Sequence, residues 1–223
     1  MSAPSLHPEV PPNIVVILCD DLGYGDLGCY GNTEIATPHI DRLAAIGLRC
    51  TDFHACAAWC MPSRKGLMTG VHPYRGGLRN MDVLRTGVSL PRMLKERGYA
   101  TALLGKWHLG MDDRLHPLDQ GFDLFYGTEG SNDPITIDGQ AQVYETFRTA
   151  RREEDWPVAL YRDRQCVENP ARQSLFTQRY TREACRLIRE HSRRDEPFFI
   201  YLAHNMPHVP LFASDAFQGR SRG

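Results

Sequence analysis

The sequence predicts an α/β fold organised on a large, mostly parallel sheet, and three observations carry that prediction. Apolar runs at 13–19, 99–104 and 197–203 are nearly continuous, as expected of strands covered on both faces rather than strands with one wet side. Segments with helical caps or helical periodicity separate them, at 37–47, 89–98 and 172–191. Acidic, basic and nucleophilic side chains gather at or soon after the ends of the strands, which is the edge where open α/β sheets bind ligands.

With 223 residues, 42% hydrophobic and 24% charged, the chain can bury a substantial core, and one domain or part of a larger one is expected. A formal net charge of −1 makes no global case for binding nucleic acid or an anionic membrane surface, so neither partner is expected and anion binding must be local. No window approaches the roughly 18 continuous apolar residues of a membrane span. Residues 1–11 read as a polar, proline-containing extension, without the basic start and apolar run of a signal peptide. Seven cysteines, at 19, 29, 50, 56, 60, 166 and 185, are odd in number and show no disulfide framework. These features predict a cytoplasmic location if Met1 is the true start, with export or a periplasmic location open otherwise.

In chain order, Asn13 to Cys19 forms the first strand and ends in Asp20-Asp21. Adjacent carboxylates at the end of a buried strand repel each other and suit a hard cation such as Ca²⁺, with Mg²⁺ second. Receiver domains also carry acidic pairs there, so the pair alone leaves the class open. Thr37-Pro38 caps a helix that presents Ile40, Leu43, Ala44 and Ile46 as its core face and closes at Gly47. Leu48 to Cys56 is expected to be a strand leading to Cys60. His54, Cys56 and Cys60 invite a zinc reading that lacks a fourth ligand. Ser89 caps a helix through Glu96, and the following strand delivers Gly105-Lys106-Trp107-His108-Leu109-Gly110. A phosphate loop is ruled out here by Ala100 and Trp107. Residues 120–127 read as a glycine- and aromatic-rich approach to Ser131, and 138–169 as a solvated hairpin or insertion. A helix at 172–191 and a strand at 197–203 lead to His204 and to Pro207-His208-Val209-Pro210, with His204 expected to be structural.

The organising stretch is Cys60-Met61-Pro62-Ser63-Arg64-Lys65-Gly66-Leu67-Met68-Thr69-Gly70. Proline suits the first turn of a helix and Gly70 its end, which places the Cys60 side chain at the positive pole, where negative charge is stabilised. Cys60-x-Pro62-x-Arg64 with Leu67-Met68-Thr69-Gly70 resembles the signature of the sulfatase family, and Gly105-Lys106-Trp107-His108-Leu109-Gly110 and the acidic N-terminal stretch 20–28 are similar to that family as well. The resemblance covers 12–223, and it implies the first portion of an alkaline-phosphatase-like three-layer sandwich with a mixed, mostly parallel sheet.

It further implies an arylsulfatase-like sulfuric ester hydrolase. Cys60 would be oxidised to formylglycine by a maturation enzyme, and one hydroxyl of the hydrated aldehyde would attack sulfur while the other expels sulfate afterwards. Asp20, Asp21 and the modified Cys60 would bind calcium. Arg64 and Lys106 would stabilise the diol and sulfate charge. Ser131 would contact sulfate, and His108 and His208 would handle protons at the diol and at the leaving oxygen. The substrate would be a small-molecule or carbohydrate sulfate ester. Family members usually continue past this length and bring an Asp-Asn metal pair and a further lysine, so a non-catalytic fragment or pseudo-enzyme is a second reading. A phosphoester hydrolase of the same superfamily is a third.

Overall fold

The computed structural model describes residues 11–75, 77–112, 114–133 and 152–220. Most of the extension at 1–11 and the stretch 138–151 of the expected insertion lie outside them. Among the described residues, six strands are β1 (Ile14–Cys19), β2 (Ala100–Lys106), β3 (Leu124–Thr128), β4 (Leu160–Arg162), β5 (Gln165–Glu168) and β6 (Phe198–His204). They form one sheet in the order β1-β6-β2-β3-β4-β5. β1, β6, β2 and β3 run parallel, while β4 and β5 return antiparallel.

The sheet separates two layers of helix. The short helices α2 (Cys60–Thr69), α3 (Asp82–Thr86) and α4 (Leu90–Lys95) lie against one face, and α5 (Phe176–His191) against the other. Alternation along β6 builds both cores: Phe199, Tyr201 and Ala203 join Leu103, Trp107, Phe122 and Phe125 on one side, while Phe198, Ile200 and Leu202 join Leu104, Phe176, Tyr180 and Leu187 on the other. The parallel strands are packed tightly where they exit. Gly105 has φ +108°, and a Cβ there would lie 1.9 Å from the Ala203 carbonyl oxygen on β6, so only glycine fits.

Several local expectations are corrected. β1 is an edge strand whose Val15 and Ile17 are 42% and 57% exposed, so one of its faces is open although its sequence is apolar throughout. Helix α1 (Pro38–Ile46) forms as expected but buries none of its residues. Residues 48–56 contain no strand; Arg49 and Tyr30 instead tie this segment to the 28–31 turn by hydrogen bonds to Cys29 O and Cys50 O. The stretch around Phe125 is a true strand, β3, because its parallel register with β2 supplies the ladder partners that its glycine-rich sequence does not advertise. At the two expected caps, the Ser89 hydroxyl donates to Gln120 O and the Thr37 hydroxyl to Asp41, so neither caps its own helix.

Candidate active site

Four strand exits converge. β1 delivers Asp20 and Asp21, β2 ends on Lys106, β3 leads to Ser131 and β6 leads to His208. Cys60 enters differently: it is the first residue of α2, reached from irregular chain rather than from a strand. Arg64 lies one turn further along, on the same helical face, and Gly70 ends the helix with φ +67°. Neighbouring Lys65 is buried and spent on Gly77 O and Asn80 O, so it takes no part.

The centre is a buried ionic cluster. Arg64 Nη2 donates to Asp20 Oδ1 at 3.1 Å and Lys106 Nζ to Asp20 Oδ2; all three side chains are at most 5% exposed. Arg64 Nη1 also donates to Lys106 O at 2.6 Å, and to the Tyr201 hydroxyl at 3.5 Å. Burial alone would raise the Asp20 carboxyl, but Arg64 and Lys106 outweigh it and hold the group below its ordinary range. Two cations facing one carboxylate leave a local positive excess, which favours a further anion.

That excess points along a line of donors. Lys106 Nζ donates to Ser131 Oγ at 3.1 Å, and Ser131 Oγ lies 3.5 Å from His208 Nε2. His208 Nε2 is also 3.5 Å from Asp21 Oδ2. His208 Nδ1 lies 2.5 Å from Val209 O. Because a carbonyl only accepts, Nδ1 carries a proton toward Val209 O, and Nε2 is the nitrogen turned to Ser131 and Asp21. His108 has φ +63°, and its Nδ1 is buried with no hydrogen-bond partner among the described residues. Burial, reinforced by Lys106 and Arg64, pushes its imidazole down to about 3, so it is neutral near pH 7.

A cavity of about 1260 Å³ is lined by Asp20, Asp21, Cys60, Ser63 and Arg64, with Tyr24, Tyr30 and Trp59 also on its wall. Cys60 is half-buried on its wall, not sealed in hydrocarbon. Two carboxylates on that wall are donors of the right hardness for calcium. They are only part of a cage: both Asp20 oxygens already face cations, and among the described residues no group of three or more His, Cys, Asp or Glu side chains could hold a metal ion. The zinc reading fails with it, since His54 is exposed and pairs with Asp52 at 2.7 Å.

A family model described as Sulfatase matches residues 12–223. The chain belongs to the sulfatase family. It is 35% identical over 230 residues to N-acetylgalactosamine-6-sulfatase of Rattus norvegicus, an alignment covering 95% of this chain and 42% of that protein. It is 37% identical over 227 residues to arylsulfatase A of Homo sapiens, covering 95% and 44%. Among solved structures it superposes on Ps i-CgsB with a TM-score of 0.74 at 33% identity, covering 92% of this chain and 47% of that one. The same protein is solved in complex with k-i-k-neocarrahexaose, with a TM-score of 0.72. This sulfatase chain thus spans less than half the length of these three relatives, and its fold is of the alkaline-phosphatase-like α/β type.

All eight sequence-proposed site residues of this sulfatase chain belong to one neighbourhood. Asp20, Arg64, Lys106, Ser131, His208 and Asp21 are linked by direct contacts, Cys60 shares the cavity wall, and Lys106 and Arg64 act electrostatically on His108. His204 is buried beside the Tyr180 ring, and burial lowers its imidazole to about 4, in keeping with a structural role. Sequence reasoning missed Tyr201, Thr128, Asn132 and Asn205. Asn205 follows β6 directly and Asn132 lies in the loop after β3, and a polar residue at a strand exit was the one available signal.

Proposed function

We propose that this chain carries the nucleophile and the anion-binding groups of a sulfuric ester hydrolase acting on a sulfated carbohydrate. The observation that carries the reading is the meeting of Arg64, Lys106, Ser131 and His208 beside the cavity wall that holds Cys60. The sulfate ester named in the rat relative and the oligosaccharide bound by Ps i-CgsB support a carbohydrate, and the likeness to arylsulfatase A supports an aryl sulfate as the second substrate class.

Asp20, Asp21 and a formylglycine made from Cys60 by a maturation enzyme would hold a calcium ion, and the hydrated aldehyde and the ion would supply an oxygen nucleophile and a Lewis acid. The other residues prepare the ester. Lys106 and Arg64 offset the charge that accumulates on the sulfate oxygens, and their burial strengthens that effect. Ser131, already accepting from Lys106, is free to turn its own proton toward a sulfate oxygen. His208 is placed to exchange a proton with the leaving oxygen at Nε2, which lies 3.5 Å from Asp21 Oδ2, while the contact of Nδ1 with Val209 O fixes the ring. His108, neutral near pH 7, is a hydrogen-bond acceptor; an anion seated against Lys106 and Arg64 would offset their charge and let its basicity rise.

The test is turnover of p-nitrophenyl sulfate by protein coexpressed with a maturation enzyme, with mass spectrometry of the peptide containing Cys60. Aldehyde or hydrate at position 60 together with calcium-dependent turnover is expected. Full activity with an unmodified thiol overturns the mechanism. A faster reaction with p-nitrophenyl phosphate overturns the sulfate assignment, and a fully modified, folded but inactive chain overturns catalysis by this chain alone.

A further inference from the structure

β3 and β6 are not neighbours; β2 lies between them and ends on Lys106. Their exit loops are nevertheless joined over the end of β2 by two side-chain amides running in opposite directions. Asn205, on the β6 exit, donates Nδ2 to Thr128 Oγ1 of β3 at 3.0 Å. Asn132, on the β3 exit, donates Nδ2 to His208 O at 3.3 Å and to Pro210 O at 3.2 Å. Both asparagines are at most 1% exposed.

The partners dictate the amide orientations. Two carbonyl oxygens face Asn132, so only its NH₂ group can point at them. Thr128 spends its proton on Gly130 O at 3.0 Å, so it must accept from Asn205. Asn132 Oδ1 and Asn205 Oδ1 are buried without a hydrogen-bond partner among the described residues. From behind, Gln173 Nε2 donates to Asn132 O at 3.0 Å and to Trp156 O at 2.8 Å, anchoring the clasp to the start of the α5 layer. What the clasp holds is specific: Ser131 is the residue before Asn132, and His208 is the residue whose carbonyl Asn132 grips.

We infer that Asn132 and Asn205 form a reciprocal clasp that positions Ser131 and His208 across the end of β2. They are positioning residues, acting through the Ser131 hydroxyl and the His208 ring. The sulfate role of those two side chains rests on the function proposed above, whereas the clasp rests on the contacts alone.

The test uses ¹⁵N-histidine-labelled protein, with inorganic sulfate as the probe anion. Asn132→Ala is expected to shift or broaden the His208 ring resonances while leaving His116, which is bonded to Asp163 O and the Leu118 amide, unchanged. Sulfate affinity should fall about tenfold, the scale of a hydrogen bond to a charged group. Adding Ser131→Ala to Asn132→Ala should weaken sulfate by less than about threefold more, because both changes disable one element. Thr128→Val, nearly isosteric, breaks the other rung, is expected to move the same readouts, and serves if Asn132→Ala does not fold. Unchanged His208 resonances in the folded variant, or sulfate losses that multiply in the double variant, overturn the inference. If the unsubstituted protein does not bind sulfate, the anion-site reading fails, and the His208 resonances still decide for or against the clasp.

Discussion

Asp20 and Arg64 are joined by a hydrogen-bonded ion pair of 3.1 Å across 44 residues of sequence, both almost wholly buried, with Lys106 on the other carboxylate oxygen. One anion between two cations makes the three unequal. Asp20 is the member whose loss leaves two buried positive charges facing each other, whereas loss of Arg64 leaves a neutralised pair. Asp20→Asn should therefore cost about 3–5 kcal/mol, and Arg64→Met less. Urea unfolding of both variants checks the order, and the reverse order would show that Asp20 is not the hub.

Lys106 is the cation placed to follow charge onto the sulfate oxygens. Lys106→Ala should lower kcat on p-nitrophenyl sulfate by about 10²–10³, the usual effect of removing one preorganised donor to a developing anion. Lys106→Arg should not restore the rate, because a bulkier planar group has no room where the ammonium is 0% exposed. Initial rates at saturating substrate read both effects.

Acid should destabilise the fold through two histidines. Burial pushes His108 to about 3 and His204 to about 4, both below the unfolded value of about 6.5. Between those limits the unfolded chain binds the extra protons, so stability rises with pH and falls on acidification from about 6.5 downward. Asp20, held below its ordinary range, adds to the loss at still lower pH. Melting temperature followed from pH 7 to 4.5 should decline, and His204→Phe, which keeps a ring against Tyr180, should make the decline shallower. An unaltered slope would mean that His204 is not protonated on unfolding.

Gly105→Ala should be among the most damaging small substitutions in the chain. The added Cβ meets the Ala203 carbonyl, and φ is +108°, so the parallel strands that carry Lys106 and His208 would have to separate. A cost above about 4 kcal/mol, in the range reserved for such mechanisms, is expected from denaturant titration. Gly219→Ala, at φ +65° with open space around the added atom, is the control for backbone strain without collision.

Legibility differed by element for physical reasons. β6 and β2 were readable because both faces are buried and every position before the terminal His204 and Lys106 is apolar, aromatic or small. β1 reads the same way but lies at the edge of the sheet, since strand order is a tertiary property that hydropathy does not encode. β3 was hidden because its glycine and polar ends follow from close packing on β2 rather than from intrinsic preference. α1 could be placed by its proline and helical period, but not the exposure of its apolar face. At the site, Cys60, Arg64, Lys106 and His108 stood in dense local motifs, whereas Asn132, Asn205 and Tyr201 act through partners 76 or more residues away and carry no local mark.

The sequence by itself determined the family, the α/β class and the chemical identity of the groups at the strand ends, because these are written in short motifs and in the period of apolar residues. Only the tertiary structure decided that Asp20 is shared between Arg64 and Lys106, that Ser131 and His208 face each other, and that two asparagines bridge strands separated by a third. Those relations depend on strand order and on the direction of individual hydrogen bonds, which long-range packing fixes.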